Sequence, residues 1–419
     1  MSQQQPIEVL MCESFPYTTG WTGSGGSQSD KKIGVVGLVC FDLRRRGIVG
    51  KLNMVGTSGG KFPQIREHLQ KNIGDVYGMD TSFTAYPEGD KRDAEAYKGA
   101  IEKLPKGSIV IIFTPDSTHY PIAKYALERD HHVMVTKPAT QLLEHHQELS
   151  KLAAERGLVC WVEHHKRFDP VYSDAKMRSK DIGDFSFFNS YMSQPKSQLQ
   201  TFSAWAGVDS DISYYLNSHH IDVHAWLVEG LYKPVKVTAS ASTGIATQEP
   251  YNCAPQTEDT ITLLTEWESL KQPGRKGTAV YTASWTAPQK SGVHSEQYWN
   301  MVCSKGEVVV NQARRGYEIG TDEGGRTAYN PFYMKYSPAA DGSFDGQRGY
   351  GYVSLSTWVE ACIKVNKGEA KPEDFDNYGL PTIKNTIVTT AIIRAGRVSL
   401  DEKRSVVINV DSNGAYSLQ

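Results

Sequence analysis

Segments that read alternately as strand and as helix between residues 31 and 165 constrain the fold of this chain more than any other feature. Apolar runs at 33–39 and 108–115 have strand character, and segments at 121–130 and 142–157 have helical character. The run at 108–115 is almost unbroken in β-branched and aromatic residues, as in a parallel strand covered on both faces. Strands that alternate with helices form right-handed βαβ units. The pattern therefore predicts an α/β domain of the Rossmann type over residues 31–165.

The alternation stops after residue 183, and strand-like segments then dominate the chain. They lie at 185–193, 235–243, 259–268, 277–288 and 306–313. Turns and loops join them, which favours a large, mainly antiparallel open sheet in a C-terminal α+β domain over residues 166–419. Residues 1–30 end in a Gly/Ser-rich stretch and are predicted to form an extended N-terminal arm.

Composition argues against several classes of protein. A net charge of −2 provides no basic surface of the kind that binds nucleic acid or an anionic membrane. The chain has no run of about 18 apolar residues, so we expect no membrane span. The N-terminus lacks a basic segment followed by an apolar one, and the six cysteines include no CxxC pair. We therefore expect a cytoplasmic protein with reduced thiols.

The first predicted strand ends at the turn that would carry the pyrophosphate of a dinucleotide. Gly37, Leu38 and Val39 stand at the place of a G-x-G-x-x-G loop. Gly37 keeps the tight turn, whereas Val39 lies where a glycine would let the backbone approach the phosphates. The sequence therefore assigns these three residues to the cofactor site and indicates an altered phosphate loop.

The end of the second predicted strand, 51–60, indicates which dinucleotide would bind. An aspartate or glutamate at this place usually binds the ribose 2′-hydroxyl of NAD, and this strand end has neither. Thr57, Ser58 and Lys61 supply hydroxyls and a positive charge instead, which suit a 2′-phosphate. The sequence therefore favours NADP over NAD as the cofactor.

A polar stretch over residues 210–230 is the candidate for proton chemistry. Its apolar spacing predicts a helix that begins near Asn217 or Ser218, either of which can cap it. Tyr215 and His219 would then lie on one side of the helix start, four residues apart, as in a proton-transfer site. A structural network of buried polar groups would use the same residue types, so both interpretations stay open.

His220 and His224 have the i, i+4 spacing of metal ligands on a helix. No clear third ligand can be identified in the sequence, whereas a zinc site needs three or four. We therefore expect no metal site in this protein.

Four motifs, in order along the chain, resemble those of a known family. Phe113–His119 is similar to its TP-x-x-x-H turn, and Val135–Pro138 is similar to its E-K-P motif. Glu163–Pro170 is similar to the segment that leaves its nucleotide domain, and Ser218–Asp222 to its G-x-H-x-I-D helix start. From about residue 32 to residue 400, the chain thus resembles the Gfo/Idh/MocA oxidoreductases, which include glucose-fructose oxidoreductase and inositol dehydrogenase.

The resemblance implies roles for individual residues. Lys137 is implied to be the catalytic lysine that contacts nicotinamide and substrate hydroxyl, and His219 to be the substrate-site histidine. Tyr215 stands where inositol dehydrogenase-like members have an aspartate, so either His219 or Tyr215 can take the hydroxyl proton. Thr136 replaces the usual glutamate before the lysine. We expect cofactor contacts from Thr114, Pro115, His119, Lys137, Pro138 and Lys166, and substrate contacts from Lys137, Lys166, Trp205, Tyr215, His219 and His220.

The function implied is an NAD(P)-dependent oxidoreductase that transfers hydride between nicotinamide and a hydroxyl or carbonyl carbon of a sugar, sugar acid or cyclitol. Two alternatives stay open. The altered phosphate loop also fits a non-catalytic regulatory protein that binds sugar or dinucleotide, and an NAD-dependent glycoside hydrolase would use the same frame. The resemblance further implies a homo-oligomer, either a dimer or a tetramer. We expect a small carbohydrate-like substrate as the partner, with neither nucleic acid nor a membrane.

Overall fold

The computed structural model describes residues 6–23, 25–27, 32–344 and 349–419. These residues form two large sheets, and helices pack against each sheet to form apolar cores. Within the described ranges, no helix is both long enough and apolar enough to cross a membrane.

Six parallel strands form the sheet of the N-terminal half. They are β1 (Ile7–Cys12), β2 (Val49–Val55), β3 (Thr84–Tyr86), β4 (Ile109–Ile112), β5 (His132–Thr136) and β6 (Cys160–Glu163). The helices of this half are α1 (Pro16–Thr19), α2 (Val36–Arg45), α3 (Phe62–Leu69), α4 (Asp75–Tyr77), α5 (Ala96–Glu102), α6 (His119–Leu127) and α7 (Leu143–Arg156). The strand order β3-β2-β1-β4-β5-β6 is that of a dinucleotide-binding fold. The predicted Rossmann architecture is confirmed.

The first strand of this sheet lies in the segment that the sequence assigned to an N-terminal arm. β1 pairs with both β2 and β4 at the centre of the sheet, so the prediction of an arm is wrong for residues 7–12. The run at 33–39, predicted as the first strand, instead leads into α2, where Val36–Leu43 is buried throughout. A short apolar run that is buried on all sides has no period that distinguishes helix from strand. Residues 1–5, 24 and 28–30 of the predicted arm lie outside the described residues.

Eight strands form the sheet of the C-terminal half. They are β7 (Phe185–Pro195), β8 (Tyr232–Ser242), β9 (Thr260–Ser269), β10 (Lys276–Ala287), β11 (Glu296–Cys303), β12 (Gly306–Asn311), β15 (Val406–Val410) and β16 (Tyr416–Leu418). Two further strands, β13 (Glu318–Thr321) and β14 (Gly325–Ala328), form a separate hairpin. The order is β12-β11-β7-β10-β9-β8-β15-β16, and only β7 and β10 pair in parallel. The predicted mainly antiparallel sheet is confirmed, and the sequence missed β11, β15 and β16.

The helices of the C-terminal half connect the two sheets. They are α8 (Pro170–Ser179), α9 (Gln198–Phe202), α10 (Ser218–Leu227), α11 (Tyr350–Asn366) and α12 (Ile387–Glu402). Ile221 of α10 and Ile392 of α12 lie in one core with residues of the eight-stranded sheet. Trp358 of α11 lies instead in a core of the six-stranded sheet, together with Phe41 of α2. The chain therefore returns to its N-terminal half before it ends, and this return holds the two halves together.

Candidate active site

The carboxyl ends of β4, β5 and β6 meet the beginning of α10, and Lys137 lies at this junction. It follows β5 directly, and its Nζ donates a hydrogen bond to the backbone carbonyl oxygen of Tyr215. The same Nζ lies 4.1 Å from the centroid of the Tyr215 ring, within the range of a cation–π contact. The structure thus brings together two of the three predicted catalytic residues. The contact uses the carbonyl and the ring face of Tyr215, so this residue orients the ammonium group.

His119 supports the turn that carries Lys137. The imidazole is fully buried, with Nδ1 2.8 Å from the carbonyl oxygen of Pro138 and Nε2 2.8 Å from the carbonyl oxygen of Thr114. It therefore links the turn after β5 to the turn after β4. Both ring nitrogens contact the backbone, so the structure gives His119 a role in positioning the two turns, and its predicted contact with a cofactor stays a prediction.

His219, the third predicted catalytic residue, faces the same junction from the first turn of α10. Only 7% of the residue is exposed. Burial, followed by the charges of Lys137 and Lys166, holds the pKa of His219 well below its ordinary value. Its Nδ1 is buried and has no hydrogen-bond partner among the residues that the structure describes. The site therefore contains a neutral imidazole with hydrogen-bonding capacity left for a ligand.

α10 begins where the sequence predicted, but without the predicted side-chain cap. A π-helical turn, Ser213–Asn217, runs directly into α10, so helical backbone already precedes Ser218. The Asn217 amide donates instead to Ser213 Oγ and to the carbonyl oxygen of Ile261, at 3.0 and 3.3 Å. π-helical turns are frequent at functional sites. This turn contains Tyr215, and it delivers the carbonyl that Lys137 contacts.

Lys166, predicted to contact cofactor and substrate, connects the two halves of the molecule. It follows β6, is 2% exposed, and donates hydrogen bonds to the side-chain oxygens of Gln297 and Gln312 in the C-terminal half. Tyr172 also donates to Gln312, at 2.8 Å. The charge of Lys166 also lowers the pKa of His219, so the ammonium group acts on the same site as Lys137.

Aromatic rings form one wall of the junction. The rings of Tyr215 and Trp285 stack with centroids 5.3 Å apart, and Trp205 lies 5.4 Å from Tyr215. Trp285 is 1% exposed and belongs to the core, whereas Trp205 is half-buried at the edge of the wall. His220, a predicted substrate residue, is 1% exposed, and burial followed by the charge of Lys166 holds its pKa well below the ordinary value. Of these side chains, Trp205 and Tyr215 are half-buried and keep accessible surface that a ligand ring would need.

Two buried pairs of polar side chains at the end of β6 were not assigned from the sequence. Glu163 accepts from His165 Nδ1, with oxygen-to-nitrogen distances of 2.8 and 3.0 Å. Arg167 donates to both carboxylate oxygens of Asp222, at 2.8 and 2.7 Å. All four residues belong to motifs recognised in the sequence. Glu163 ends β6, and His165 and Arg167 follow it on the side of the sheet where ligands bind. That rule could have indicated Glu163 and His165, but no local pattern indicates which side chains pair.

The connection between β1 and α2 occupies the place of a phosphate loop. The Val35 amide at the start of α2 donates to the carbonyl oxygen of Tyr17, at 2.7 Å. A Cβ atom added to Gly34 or Gly37 would lie 2.4 or 2.7 Å from the carbonyl oxygen of Thr18. These distances leave no room between the chain around Thr18 and the beginning of α2. The glycines thus allow one backbone segment to pack against another, where the glycines of a G-x-G-x-x-G loop would admit a pyrophosphate.

The residues predicted to form the phosphate loop lie inside a helix. Gly37, Leu38 and Val39 belong to α2, and the side chains of Leu38 and Val39 are completely buried. The prediction of a loop at these residues is wrong. The strand that should lead directly into such a loop is β1, and it ends at Cys12, 24 positions before α2 begins at Val36. Burial in the core leaves these two side chains unable to touch a cofactor.

The carboxyl end of β2 keeps the polar character that the sequence indicated. Thr57 is exposed, Ser58 is half-buried, and Lys61 Nζ lies 4.6 Å from the ring centroid of Phe15, which is 43% exposed. Arg66 is turned away, because its guanidinium lies 4.7 Å from the Phe83 ring and donates to the Phe83 carbonyl oxygen. Lys61 is thus the cation that this strand end offers to a ligand.

Comparison with known proteins agrees with this geometry. A family model described as "Oxidoreductase family, NAD-binding Rossmann fold" matches residues 81–164, and one described as "GFO/IDH/MocA C-terminal domain" matches residues 174–309. The chain belongs to the Gfo/Idh/MocA oxidoreductase family. Its N-terminal half is accordingly an NAD-binding Rossmann domain of that family. The first match begins after β2, so the altered connection between β1 and α2 lies outside it.

Individual relatives in the Gfo/Idh/MocA family match shorter segments. An uncharacterized oxidoreductase of Escherichia coli, YdgJ, is 34% identical over 121 residues, which are 28% of this chain and 35% of that protein. The NAD-dependent scyllo-inositol 2-dehydrogenase of Bacillus subtilis is 33% identical over 111 residues, 25% of this chain and 32% of that protein. The chain thus spans about a third of the length of these curated relatives.

The whole fold has solved counterparts. The crystal structure of scyllo-inositol dehydrogenase from Lactobacillus casei, with bound NAD(H) and scyllo-inositol, covers 96% of this chain and 99% of its own, with a TM-score of 0.62 and 14% identity. At that identity the likeness establishes the fold of this Gfo/Idh/MocA protein and no more.

The donor set at the carboxyl edge of the six-stranded sheet fits a nicotinamide dinucleotide. At the end of β2, Lys61 and the hydroxyls of Thr57 and Ser58 are groups that bind phosphate or ribose oxygens. At the ends of β4 and β5, Lys137 and the unsatisfied Nδ1 of His219 are groups that bind a polar reacting centre. In the connection between β1 and α2, the chain around Thr18 packs closely against Gly34 and Gly37.

Proposed function

We propose that this protein is an NAD(P)-dependent oxidoreductase that transfers hydride between nicotinamide and a hydroxyl or carbonyl carbon of a sugar, sugar acid or cyclitol. The single observation that carries the proposal is the meeting of Lys137, Tyr215 and His219 at the carboxyl ends of the parallel strands. Ligands of parallel α/β sheets bind at that edge. The names of the relatives support the substrate class, since two of them act on or bind scyllo-inositol.

The bound dinucleotide supplies a nicotinamide ring that accepts or donates hydride. The residues of this chain handle the proton that accompanies the hydride. In the oxidative direction, the neutral imidazole of His219 accepts the proton of the substrate hydroxyl. The Lys137 ammonium donates to the same oxygen and stabilises the negative charge that develops on it. The carbonyl and ring face of Tyr215 hold the ammonium in place.

The low proton affinity of His219 suits a residue that accepts a proton and passes it on. Burial and two neighbouring lysines keep the imidazole neutral at physiological pH, so it is always ready to accept a proton. The same groups make the protonated state unfavourable, so the proton must move on quickly. His219 therefore works best as one member of a chain of proton acceptors.

We further propose that NADP is preferred to NAD. Lys61 at the end of β2 is a cation next to exposed Phe15, and the neighbouring Thr57 and Ser58 add hydroxyl donors. No acid follows β2 within residues 56–61, where an NAD-specific protein would bind the ribose 2′-hydroxyl. A lysine at this position can pair with the 2′-phosphate of NADP.

Turnover tests the proposal directly. Purified protein is mixed with NAD or NADP, in oxidised and reduced forms, and with a panel of cyclitols, aldoses, polyols and sugar acids, while nicotinamide absorbance is followed at about 340 nm. We expect turnover with at least one substrate, and a decrease in kcat of at least about 100-fold in Lys137→Met. Lys151→Ala is the matched control, because Lys151 is an exposed lysine on α7. Absence of turnover across the whole panel would contradict the proposal.

A non-catalytic regulatory protein is the second candidate, and the closed packing around Thr18 is the observation that favours it. If the protein binds sugar or dinucleotide in calorimetry but never turns over, this candidate replaces the first. Turnover that disappears in Lys137→Met would eliminate it.

A further inference from the structure

A buried carboxylate–imidazole pair lies directly behind His219. The carboxylate of Glu163, at the end of β6, lies 2.8 and 3.0 Å from His165 Nδ1 through its two oxygens. Ser354 Oγ of α11 donates to the same carboxylate at 3.1 Å. Glu163 is 2% exposed and His165 is 9% exposed. The pair is therefore shielded from solvent and held from two elements.

The geometry of this pair defines the chemistry of the His165 ring. A carboxylate can only accept hydrogen bonds, so Nδ1 of His165 must carry the hydrogen. In a neutral imidazole the other nitrogen, Nε2, then has a lone pair and is basic. When Nε2 takes up a proton, the ring becomes a cation, and the adjacent carboxylate of Glu163 stabilises it. This is the arrangement by which an acid orients a catalytic histidine and supports its protonated state.

The His165 ring lies next to the candidate acid/base. The ring centroids of His165 and His219 are 5.3 Å apart, with an angle of 54° between the ring planes. The structure shows no direct hydrogen bond between these two rings, and their separation is short enough for a proton to pass through one bridging water molecule. The two imidazoles differ in their surroundings, because His219 faces the charges of Lys137 and Lys166, whereas His165 faces a carboxylate. A proton is therefore more stable on His165 than on His219.

We propose that His165, oriented by Glu163, is the proton acceptor behind His219, and that the two histidines form a proton relay for the oxidoreductase reaction. The inference rests on the proposed function. In the oxidative direction the substrate O–H bond breaks, its electron pair forms the C=O bond, and the C–H pair leaves as hydride to the oxidised nicotinamide. The hydroxyl proton binds one nitrogen of His219 while the proton on the other nitrogen passes to Nε2 of His165. The imidazolium of His165 then pairs with Glu163 until the proton reaches solvent.

The groups around His165 leave Glu163 as its main source of negative charge. The phenol rings of Tyr333 and Tyr350 lie 5.3 and 5.5 Å from the imidazole, and both phenols are neutral at physiological pH. The other titratable neighbours are His164 and His219, and burial is the main cause that lowers the pKa of each. Because neither of these imidazoles supplies a negative charge, replacing Glu163 by a neutral amide should weaken the ability of His165 to hold a proton.

The first test uses the protein without substrate and reads the tautomer of His165. Imidazole 15N chemical shifts of histidine-labelled protein distinguish a hydrogen on Nδ1 from one on Nε2. We expect the hydrogen on Nδ1 in the wild type and a loss of that preference in Glu163→Gln. A hydrogen on Nε2 in the wild type would overturn the proposal. Because no turnover is needed, this test decides about the pair even if the proposed function fails on the substrate panel.

The second test is kinetic and separates a relay from a structural role. We expect His165→Gln to lower kcat by about 10- to 100-fold, with KM and dinucleotide affinity within about twofold of the wild type. Added imidazole should restore part of kcat in His165→Ala, which a purely structural role would not produce. Glu163→Gln should shift the acidic limb of the kcat–pH profile to lower pH. His145→Gln, a change at a histidine that stacks on Tyr120, is the control and should behave as the wild type.

Each outcome of the kinetic test has a definite meaning. Unchanged kcat and an unchanged pH profile in His165→Gln would overturn the relay, provided that the wild type turns over. If His165→Gln does not fold, Glu163→Gln carries the test, because the amide can still accept the hydrogen bond of Ser354. A decrease in kcat in either variant without rescue by imidazole and without a change in the pH profile would also count against the relay.

Discussion

Replacing Arg167 by methionine should destabilise the protein strongly, because it removes one half of a buried ion pair. Arg167 donates hydrogen bonds of 2.8 and 2.7 Å to Asp222, and the two side chains are 3% and 1% exposed. Removing one partner of such a pair leaves an uncompensated charge in the interior and costs about 3–5 kcal/mol. The pair joins the turn after β6 to α10, so the loss also loosens the helix that carries His219.

The pH dependence of the loss distinguishes an electrostatic effect from a packing defect. Burial acts to raise the pKa of Asp222, but the charges of Arg167 and His164 lower it below its ordinary value. A carboxyl with a depressed pKa stabilises the fold above its unfolded pKa, and this stability is lost as the pH falls through the folded value. Without Arg167, burial should raise the pKa of Asp222, so the sign reverses. The deficit of the variant should then be largest near neutral pH and shrink as the pH falls toward about 4.

Urea unfolding followed by circular dichroism at about pH 7 and about pH 5 measures both effects. Arg167→Met combined with Asp222→Asn should recover part of the loss, since no buried charge remains. Arg178→Met is the control, because its 2.7 Å contact with Asp174 is exposed, and it should leave the free energy of unfolding unchanged. A loss below about 1 kcal/mol at pH 7, or a loss that is equal at both pH values, would refute the reasoning.

Three further predictions concern the cofactor, the first βα connection and the thiols. Lys61→Ala should lower the ratio of NADP affinity to NAD affinity by about 10- to 100-fold in fluorescence titrations, because a charge-assisted contact is lost, while Arg66→Ala should leave the ratio unchanged. Gly34→Ala should lower the midpoint of thermal unfolding, because the residue has φ of +79° and its Cβ would lie 2.4 Å from the Thr18 carbonyl oxygen; an unchanged midpoint would show that the connection packs differently. All six cysteines are buried and free, so a thiol reagent should react with them only after denaturation, and fast reaction of the native protein would contradict the structure.

Local patterns in the sequence were sufficient for much of the fold and for part of the site. The strand β5 followed by Lys137, and the helix that begins near Ser218 with His219 in its first turn, were both predicted and are both present. Each of these features lies within a few residues of the pattern that indicates it. The alternation of strands and helices predicted the Rossmann architecture for the same reason, since βαβ units are local in the chain.

Only the tertiary structure decided which segment is the first strand and which side chains act together. β1 was missed because a connection of more than twenty residues separates it from α2, so the chain shows no compact strand–turn–helix pattern there. Glu163 and His165 were recognised as part of a motif, but their position behind His219 depends on the docking of α10 against the end of β6. Lys166 meets Gln297 across 131 residues of sequence. Hydrophobic periodicity and turn residues indicate the structure of a segment from its neighbours in sequence. The site around Lys137 and His219, in contrast, is formed by contacts between segments that are distant in the chain.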